Sequence, residues 1–291
     1  MPSPDFIVIG GMKSGTTSLY HYLGCHPDIA VSHRKEVNFF TRHLYRKKTI
    51  DWYEKQFPSG SRVAGDVSPV YSKLHLDPGI PERIRSALPH ARLIYLVRDP
   101  VKRFVSHYQH ILAKARTTLD PDTFVSEELN REGNVFLTGC YYKQLQGYLK
   151  FFPPEQILIV ECEALRARTG RELARIFEFV GVSTDFVAEE FEQLHHLSSN
   201  KYMLNAIGQR LQAIAGTRRT LRLSRSRVGR RLLSRPMGAV SLQPQVRTAL
   251  VDAYAPWNQL LREHTGLTLD HWSDAEHRQV ESHDKLGMSA Q

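Results

Sequence analysis

Short apolar runs, separated by segments with helical spacing, predict the elements of this chain. Three runs lie at residues 6–9, 93–97 and 157–160. The middle run, LIYLV, has no charged position and is typical of a strand that is buried on both faces of a parallel sheet. A further short strand is expected to end at Asp66, just before Ser68 and Pro69.

Apolar residues at helical spacing fill the intervals between these strands. Helices are predicted over 16–23, 50–56, 100–112, 141–151, 171–180 and 245–264. Asp99 is expected to cap the third of these helices, and Pro100 is expected to be its first residue. The residues expected to end helices are Gly24 with the pair His26 and Pro27, Gly181, and Gly266.

This alternation of strands and helices predicts the fold class. We expect an α/β protein with a three-layer, P-loop-like fold, in which helices flank a central, mainly parallel β-sheet. Ligands of such sheets bind at the carboxyl ends of the strands. Lys13 and Arg98 each follow a predicted strand, so both are expected at that edge.

Length and composition favour one domain over several. The chain has 291 residues, of which 41% are hydrophobic, enough for a sizeable core. We expect a single domain over 1–291, with a basic insertion or lid segment around 200–240 and a polar tail from about 274. No apolar run approaches the roughly 18 residues that span a bilayer. The first strand begins too early for a signal peptide to precede it.

The three cysteines indicate a reducing compartment. Cys25, Cys140 and Cys162 are odd in number and lack the spacing of a disulfide framework or a zinc site. Free thiols are therefore expected. Together with the missing signal peptide and membrane span, they predict a cytoplasmic protein.

The net charge of +9 is concentrated in one segment. Residues 193–251 contain no aspartate or glutamate. The basic residues of this segment are Lys201, Arg210, Arg218, Arg219, Arg222, Arg225, Arg227, Arg230, Arg231, Arg235 and Arg247. Such a segment attracts polyanions. Its arginine-rich part, from Arg218 to Arg235, is interpreted as a mobile lid, a basic helix lying on anionic lipid, a cleft for an acidic acceptor, or a solvated basic loop.

The sequence GGMKSGTTSL at 10–19 is the first candidate for chemistry. It joins the first strand to the first helix, where backbone N–H groups and the helix dipole favour a bound phosphate. In the nucleotide motif G-x-x-x-x-G-K-[ST], Gly10, Gly15 and Thr17 fit, but Thr16 occupies the lysine position. The nearby lysine is Lys13, inside the loop. This argues against the phosphoryl-transfer chemistry of kinases and ATPases and favours a different phosphate donor.

A second anion-binding feature follows the buried strand at 93–97. Arg98 comes directly after that strand, and Ser106 lies eight residues later on the predicted helix, so the two offer a charge-assisted contact and a hydroxyl donor. Two such features suit a donor with two separated phosphate groups. The structural alternative for the triplet from Arg98 to Pro100 is a helix cap with a local ion pair.

These motifs resemble the PAPS-dependent sulfotransferases, whose donor is 3′-phosphoadenosine 5′-phosphosulfate. The closest likeness is to the heparan sulfate N- and 3-O-sulfotransferase branch and its bacterial relatives. The motifs that carry the resemblance are KSGTT at 13–17, KEVNFF at 35–40, IDWY at 50–53, GDVSPVY at 65–71, LIYLVRDPVKRFVSH at 93–107 and the stretch 139–160. The resemblance covers roughly residues 5 to 182, with a weaker echo over 247–272.

The resemblance implies roles for individual residues. The 5′-phosphosulfate would be held by Lys13, Ser14, Gly15, Thr16, Thr17 and Ser18. Arg98 and Ser106 would hold the 3′-phosphate, and Lys201 and Tyr202 would contact that phosphate or the adenine. Glu36 would be the general base, with His33 and His107 as competing candidates, and Lys13 would meet the leaving oxygen.

The implied reaction moves a sulfuryl group from PAPS to a hydroxyl or amine of a carbohydrate, lipid or natural-product acceptor, without a metal. Two departures affect the acceptor side. Asn38 stands where heparan sulfate enzymes often have histidine, and Val67 stands where they often have lysine. The usual disulfide of that branch also has no counterpart. The identity of the acceptor is therefore left open. If the basic segment contributes to binding the acceptor, an acidic or membrane-associated acceptor is expected.

Two other functions compete with this hypothesis. A P-loop kinase of unusual sequence would need the missing lysine and a magnesium-binding carboxylate. A non-enzymatic binder of nucleic acid or anionic membrane would use the basic segment at 193–251. The chain contains no recognised nucleic-acid motif, so nucleic acid is not expected as a partner.

Overall fold

Five parallel strands form the centre of the protein. In this computed structural model, which describes residues 3–193, 202–224 and 226–274, the strands lie in the order β2-β3-β1-β4-β5. Their bounds are β1 Phe6–Gly10, β2 Ile29–Val31, β3 Val63–Val67, β4 Arg92–Val97 and β5 Ile157–Glu161. Each neighbouring pair is parallel. The predicted parallel sheet is confirmed.

Helices connect the strands and cover both faces of the sheet. They are α1 Thr16–Cys25, α2 Arg42–Tyr45, α3 Ile50–Glu54, α4 Ile80–Ala87, α5 Pro100–Ala113, α6 Pro121–Asn130, α7 Asn134–Gly139, α8 Tyr141–Leu149, α9 Cys162–Ala167, α10 Thr169–Val180, α11 Glu190–Gln193, α12 Ala206–Ala215, α13 Thr217–Leu223, α14 Arg227–Leu233 and α15 Pro244–Thr265. Two 3₁₀ turns lie at Pro69–Ser72 and Pro154–Gln156. A two-stranded antiparallel ribbon joins β6 Tyr202–Leu204 to β7 Ser234–Pro236.

Alternation along the strands divides the core between the two faces of the sheet. Phe6 and Val8 of β1 pack with α1 and α10 on one face. Ile7 and Ile9 pack on the other face with residues of α3, α4, α8 and α15. A third apolar cluster lies among α5, α6, α7 and α15. Since both faces are buried, the strands are apolar at nearly every position, and the three-layer fold is confirmed.

The predicted helix boundaries hold where a local cap determines them. The Asp99 side chain accepts hydrogen bonds from the amides of Val101 and Lys102, and α5 begins at Pro100. Gly181 and Gly266 end α10 and α15 with positive φ angles, as the left-handed position after a helix requires.

Other boundaries differ from the predicted ones for local reasons. Helix α1 passes through Gly24 and ends at Cys25 because His26 precedes Pro27 and is extended. Helices α3 and α8 stop about one half-turn earlier than predicted. Helices α2, α4, α6, α7, α9 and α11 to α14 were not predicted from the sequence, since most of them are short and partly polar.

The chain from 270 to 274 is part of the core. Trp272 is fully buried, and Asp274 forms an ion pair with Arg262 at 2.7 Å. The polar tail was predicted from about 274, and its residues 275–291 lie outside the described part. All three cysteines are free thiols. None of the helices among the described residues is long and apolar enough to cross a membrane.

Candidate active site

The carboxyl ends of β1 and β4 meet at the centre of the sheet, where the strand order changes direction. The loop 11–15 leaves β1 at this edge, and Arg98 follows β4 beside it. The amide of Gly11 donates to the carbonyl of Leu96 at 2.5 Å, which ties the loop to β4. A crevice at such a point is the usual ligand site of an open α/β sheet.

The loop after β1 has the geometry of an anion cradle. Lys13 and Gly15 have positive φ angles of 72° and 95°, and α1 begins directly at Thr16. The first turn of α1 contains no acidic residue, so its amides and dipole favour an anion. Gly10 is required for close packing, because a Cβ there would lie 2.2 Å from the Ser72 hydroxyl oxygen.

The predicted donor-binding residues of this loop do not all face the same way. The Ser14 side chain is fully buried, and its hydroxyl lies 3.4 Å from the Tyr141 hydroxyl. Thr16 is also buried, whereas Thr17 is exposed and Ser18 is half-buried. Ser14 therefore contributes to the loop's packing, and its place in donor binding stays a prediction.

Arg98 contacts the loop and a half-buried carboxylate. Its Nη1 donates to the carbonyl oxygen of Lys13 at 3.0 Å, and its backbone amide donates to the Tyr141 hydroxyl at 3.2 Å. Its Nε lies 3.9 Å from Glu163 Oε1. This Nε is buried and has no hydrogen-bond partner among the described residues. The Arg98 side chain is 17% exposed, and a partly exposed guanidinium with an N–H that makes no hydrogen bond among the described residues fits a phosphate ligand.

Glu163 modifies the charge beside Arg98. Burial raises the pKa of its carboxyl group, while the amide of Asp99, which donates to Oε1 at 3.3 Å, and the Arg98 guanidinium act in the opposite direction. The Glu163 carboxylate therefore lies where it balances Arg98. Sequence reasoning missed it, although it follows β5 directly after Cys162 and so lies at the same edge of the sheet.

The second half of the predicted donor site lies along α5 and the ribbon. Ser106 is half-buried in the second turn of α5. Tyr202 begins β6, and its ring lies 5.2 Å from the Arg230 guanidinium carbon. Lys201 lies outside the described residues. The donor-binding roles of Ser106, Tyr202 and Lys201 stay predictions.

Glu36 lies at the carboxyl end of β3, next to β1. Its backbone amide donates to the Val67 carbonyl at 3.1 Å, and its φ is 67°. The carboxylate is exposed and pairs with Lys35 at 2.8 Å, which is the local pairing expected of a solvated loop charge. Glu36 therefore stands at the correct sheet edge for a base, in contact with solvent and with one cation.

A buried carboxylate holds the Glu36 loop in place. Asp66 accepts hydrogen bonds from the hydroxyls of Ser68 at 2.7 Å and of Tyr53 and Tyr71 at 3.0 Å. Burial raises the pKa of Asp66 to about 6, and these hydrogen bonds oppose the rise. Ser68 in turn accepts the amide of Asn38 at 3.1 Å. The Asp66 network thus positions the chain that follows Glu36.

Asn38 offers an unused acceptor beside Glu36. It has a φ of 59°, and its Oδ1 is buried without a hydrogen-bond partner in the part of the chain that the structure describes. Buried amide oxygens are rarely unpaired in native proteins. The position is therefore suited to a hydroxyl or amine donor from a ligand.

Lys73 is a buried cation near the candidate base, and sequence reasoning missed it. It follows the 3₁₀ turn that packs against Gly10, is 6% exposed, and its Nζ lies 3.5 Å from Asn134 Oδ1. Burial and the Arg103 charge lower its pKa to about 8, whereas Glu128 and Glu36 act to raise it. The only signal in the sequence is a lysine shortly after a strand end.

A contact between Arg103 and His107, both on α5, excludes His107 as a candidate base. Arg103 is fully buried and donates from Nη1 to His107 Nδ1 at 3.2 Å. An arginine donates but does not accept, so Nδ1 must accept and the neutral ring carries its proton on Nε2. Burial, with the positive charges of Arg103, Lys73, His110 and Lys13, lowers the pKa of His107. The ring therefore has no free lone pair with which to act as a base.

The remaining candidate base, His33, is exposed after β2, and its backbone amide donates to the Gln56 carbonyl at 2.8 Å. Glu36 is tied by its own amide to the end of β3, the neighbour of β1. The role of Glu36 as the base stays a prediction.

Comparison with known proteins agrees with this geometry. The family model described as "Sulfotransferase domain" matches residues 3–227. The chain is 29% identical over 197 residues to the mouse bifunctional heparan sulfate N-deacetylase/N-sulfotransferase 1, a match that covers 62% of this chain and 22% of that protein. It is 31% identical over 192 residues to mouse heparan sulfate glucosamine 3-O-sulfotransferase 5, covering 62% of this chain and 54% of that protein.

A solved structure shares the fold over nearly the whole chain. The sulfotransferase from Alicyclobacillus acidocaldarius superposes with a TM-score of 0.68 at 23% identity, covering 94% of this chain and 99% of that one. The chain belongs to the sulfotransferase domain family. The predicted likeness to the heparan sulfate branch is confirmed. The chain spans about a fifth of the bifunctional relative and about half of the 3-O-sulfotransferase.

Proposed function

We propose that this protein is a sulfotransferase that uses PAPS as its donor. The observation that carries the proposal is the hydrogen bond from Arg98 to the carbonyl of Lys13, which joins the two anion-binding features in one crevice. A donor with phosphate groups at both ends of a nucleoside suits two adjacent anion sites. Family membership supports the same reaction class.

The donor is held by the loop after β1 and by the start of α5. The amides of the loop and of the first turn of α1 bind the 5′-phosphosulfate, with the side chains of Lys13, Thr17 and Ser18. Arg98, through its unused Nε, and Ser106 bind the 3′-phosphate. Lys201 and Tyr202 contact the adenosine side. When bound, the donor supplies an activated sulfuryl group, and no metal is part of the proposal.

Glu36 acts as the general base of the reaction. It accepts the proton of the acceptor hydroxyl or amine as the new bond to sulfur forms. Lys13 stabilises the negative charge on the phosphate oxygen that leaves with the electron pair of the broken sulfur–oxygen bond. His107 is not needed as a base, because its Nδ1 is occupied by Arg103.

Lys73 supports this chemistry from the acceptor side. The Glu36 carboxylate is one of the two negative charges that act to raise the pKa of Lys73. We propose that its cation offsets part of the negative charge at the reacting centre. Lys73 therefore joins Lys13 as a second cation of the site.

The acceptor is proposed to carry a hydroxyl or amine on a carbohydrate, a lipid or a natural product. The names of the heparan sulfate relatives support a carbohydrate. Asn38 Oδ1, buried and unpaired, supports an acceptor with a second hydrogen-bond donor. We also place the enzyme in the cytoplasm, which the three unpaired thiols support.

The test is a transfer assay with sulfur-labelled PAPS and a panel of acceptors that represent the three classes. Label should move to at least one acceptor, and adenosine 3′,5′-bisphosphate should accumulate in equal amount. Mass spectrometry of the product then identifies the sulfated atom. Binding of PAPS without transfer to any acceptor in the panel or in a cell extract would overturn the assignment as an active enzyme.

A further inference from the structure

The basic segment folds into a unit of its own beside α5. Strands β6 and β7 pair through Leu204 and Ser234, and this ribbon closes around α12, α13 and α14. The side chain of Gln212 donates to the carbonyl of Ala115 at 3.1 Å, which attaches α12 to the end of α5. We refer to residues 202–236 as the ribbon unit.

The ribbon unit has a packed inner side. Leu204 is 4% exposed and Thr220 is fully buried. Helix α12 lies directly against the end of α14, because a Cβ on Gly208 would be 2.3 Å from the Leu233 carbonyl oxygen. The Asn205 side chain caps α12 and also donates to the Leu232 carbonyl. The buried side chains and backbone groups of the inner side therefore find their packing and hydrogen-bond partners within the unit.

The ribbon unit exposes large hydrophobic side chains, five of them aliphatic and one aromatic. Of the eleven large hydrophobic residues exposed in the described chain, six belong to this short unit, namely Tyr202, Ile207, Ile214, Leu223, Val228 and Leu232. Ile207 and Ile214 are 61% and 86% exposed and lie two turns apart on one face of α12. This concentration marks an interaction surface.

Arginines flank the exposed aliphatic residues. Arg210 lies one turn after Ile207, and Arg231 lies one turn after Val228, so each occupies the edge of an apolar face. Further exposed arginines of the unit are Arg219, Arg222, Arg230 and Arg235. The unit contains no aspartate or glutamate. Aliphatic faces edged by arginine are typical of helices that lie at the surface of an anionic bilayer.

We propose that the ribbon unit docks on an anionic lipid bilayer. The arginines contact the head groups, while the aliphatic side chains of α12 and α14 enter the boundary with the acyl chains. An acidic polysaccharide or a nucleic acid would use the arginines but would gain nothing from exposed isoleucine and valine. The ring of Tyr202, the one aromatic side chain of the unit, lies against Arg230 rather than in an open stacking platform.

Docking on the bilayer does not depend on the proposed reaction. It would, however, affect which acceptors the enzyme uses. Strand β6 of the unit packs against α5, which carries Ser106 of the candidate active site. A docked enzyme would hold its crevice close to the bilayer surface. An acceptor attached to that surface would then be favoured over one free in solution, and this consequence rests on the proposed function.

The test is co-sedimentation with vesicles of phosphatidylcholine alone or mixed equally with phosphatidylglycerol. The wild type should sediment with the anionic vesicles and should not bind the neutral ones. The double variant Ile207→Ser with Ile214→Ser should bind about tenfold more weakly. Val187→Ser is the matched control, since Val187 is 78% exposed outside the unit, and it should bind as the wild type does.

A second pair of variants tests the charge. Arg210→Gln with Arg231→Gln should weaken binding about tenfold and flatten its dependence on salt between about 50 and about 300 mM. Arg46→Gln with Lys47→Gln is the control, because both residues are exposed outside the unit. Thermal melting and nucleotide binding establish that each variant is folded. Val228→Ser, on α14, is a second variant that tests the aliphatic contacts.

Three outcomes would overturn the proposal. If both aliphatic variants bind vesicles as the wild type does, the aliphatic side chains do not enter the bilayer and only electrostatic attraction explains the binding. Binding to neutral and anionic vesicles alike would remove the role of the arginines. Binding of heparin or duplex DNA without any binding to vesicles would assign the surface to a soluble polyanion. None of these results depends on whether sulfate is transferred.

Discussion

Arg98 donates a hydrogen bond from Nη1 to the carbonyl oxygen of Lys13 at 3.0 Å, across 85 positions of the chain. The contact brings the loop after β1 and the start of α5 into one site. It also orients Arg98, whose buried Nε has no hydrogen-bond partner among the described residues. The two predicted anion-binding features are therefore parts of the same crevice.

The first prediction concerns this arginine. Arg98→Met should weaken the binding of adenosine 3′,5′-bisphosphate by about 30-fold, because a charge-assisted contact to phosphate is lost. Calorimetry measures the change. Arg92→Met is the control, since Arg92 is exposed at the opposite end of β4. Equal losses in the two variants would mean that Arg98 acts through general charge and not at the site.

The second prediction concerns Glu36. Glu36→Gln should lower kcat at least about 100-fold while nucleotide binding stays the same, because only proton transfer is removed. The matched control is Glu155→Gln, an exposed glutamate in the 3₁₀ turn before β5, at the amino end of the sheet. If Glu36→Gln keeps the wild-type rate, Glu36 is only the surface partner of Lys35.

The third prediction concerns the pH dependence of the rate. The pKa of Lys73 is lowered to about 8, so its charge is present below that pH and absent above it. If this cation assists transfer, kcat/KM falls as the pH rises through about 8. Over the same range, loss of the proton from Lys73 favours the folded state, because the unfolded lysine holds its proton more tightly. Deprotonation of Lys73 is therefore not itself a cause of unfolding in this range, and a thermal melt at each pH checks that the enzyme stays folded.

Lys73→Arg separates this cause from others. A guanidinium keeps its charge at high pH, so the alkaline fall in kcat/KM should move to higher pH in this variant. Lys73→Met should lower the rate about tenfold at neutral pH. An alkaline fall that stays near the same pH in Lys73→Arg would assign it to another group.

The fourth prediction concerns stability. Burial raises the pKa of Asp66 to about 6 in the folded protein, above its value in the unfolded chain. The folded state then binds more protons between about pH 4 and pH 6, so the contribution of Asp66 to the free energy of unfolding falls as the pH rises through that range. The fall amounts to about 3 kcal/mol at most.

Asp66→Asn isolates this effect, because its amide does not titrate. Urea unfolding of the two proteins at about pH 4.5 and about pH 7 gives the advantage of the wild type at each pH. That advantage should be larger at the lower pH, and other groups cancel in the comparison. An advantage that is constant or larger at the higher pH would contradict the raised pKa.

Local signals explain why much of the fold was predicted from the sequence. Asp99 and Pro100 determine the start of α5 through contacts within three residues, and the apolar strands must be buried on both faces whatever surrounds them. Their order along the chain already places Lys13 and Arg98 at one edge of the sheet.

Other parts of the site depend on contacts between distant segments. Lys73 is buried against Asn134, 61 positions away, and no local pattern indicates such a pairing. The inward direction of Ser14 depends on Tyr141, which lies 127 positions away. The neutral state of His107 follows from a tertiary environment of several cations. In the ribbon unit, charge was visible in the sequence, but the exposure of its aliphatic residues was not.

Calorimetric titration with adenosine 3′,5′-bisphosphate tests the central claim most directly. Binding should be tight without added metal, and adenosine 5′-phosphate, which lacks the 3′-phosphate, should bind at least about tenfold more weakly, since only one of the two anion sites is then filled. ATP with Mg²⁺ should bind more weakly than the bisphosphate. Tight binding of ATP with Mg²⁺, together with no detectable binding of the bisphosphate, would contradict the account.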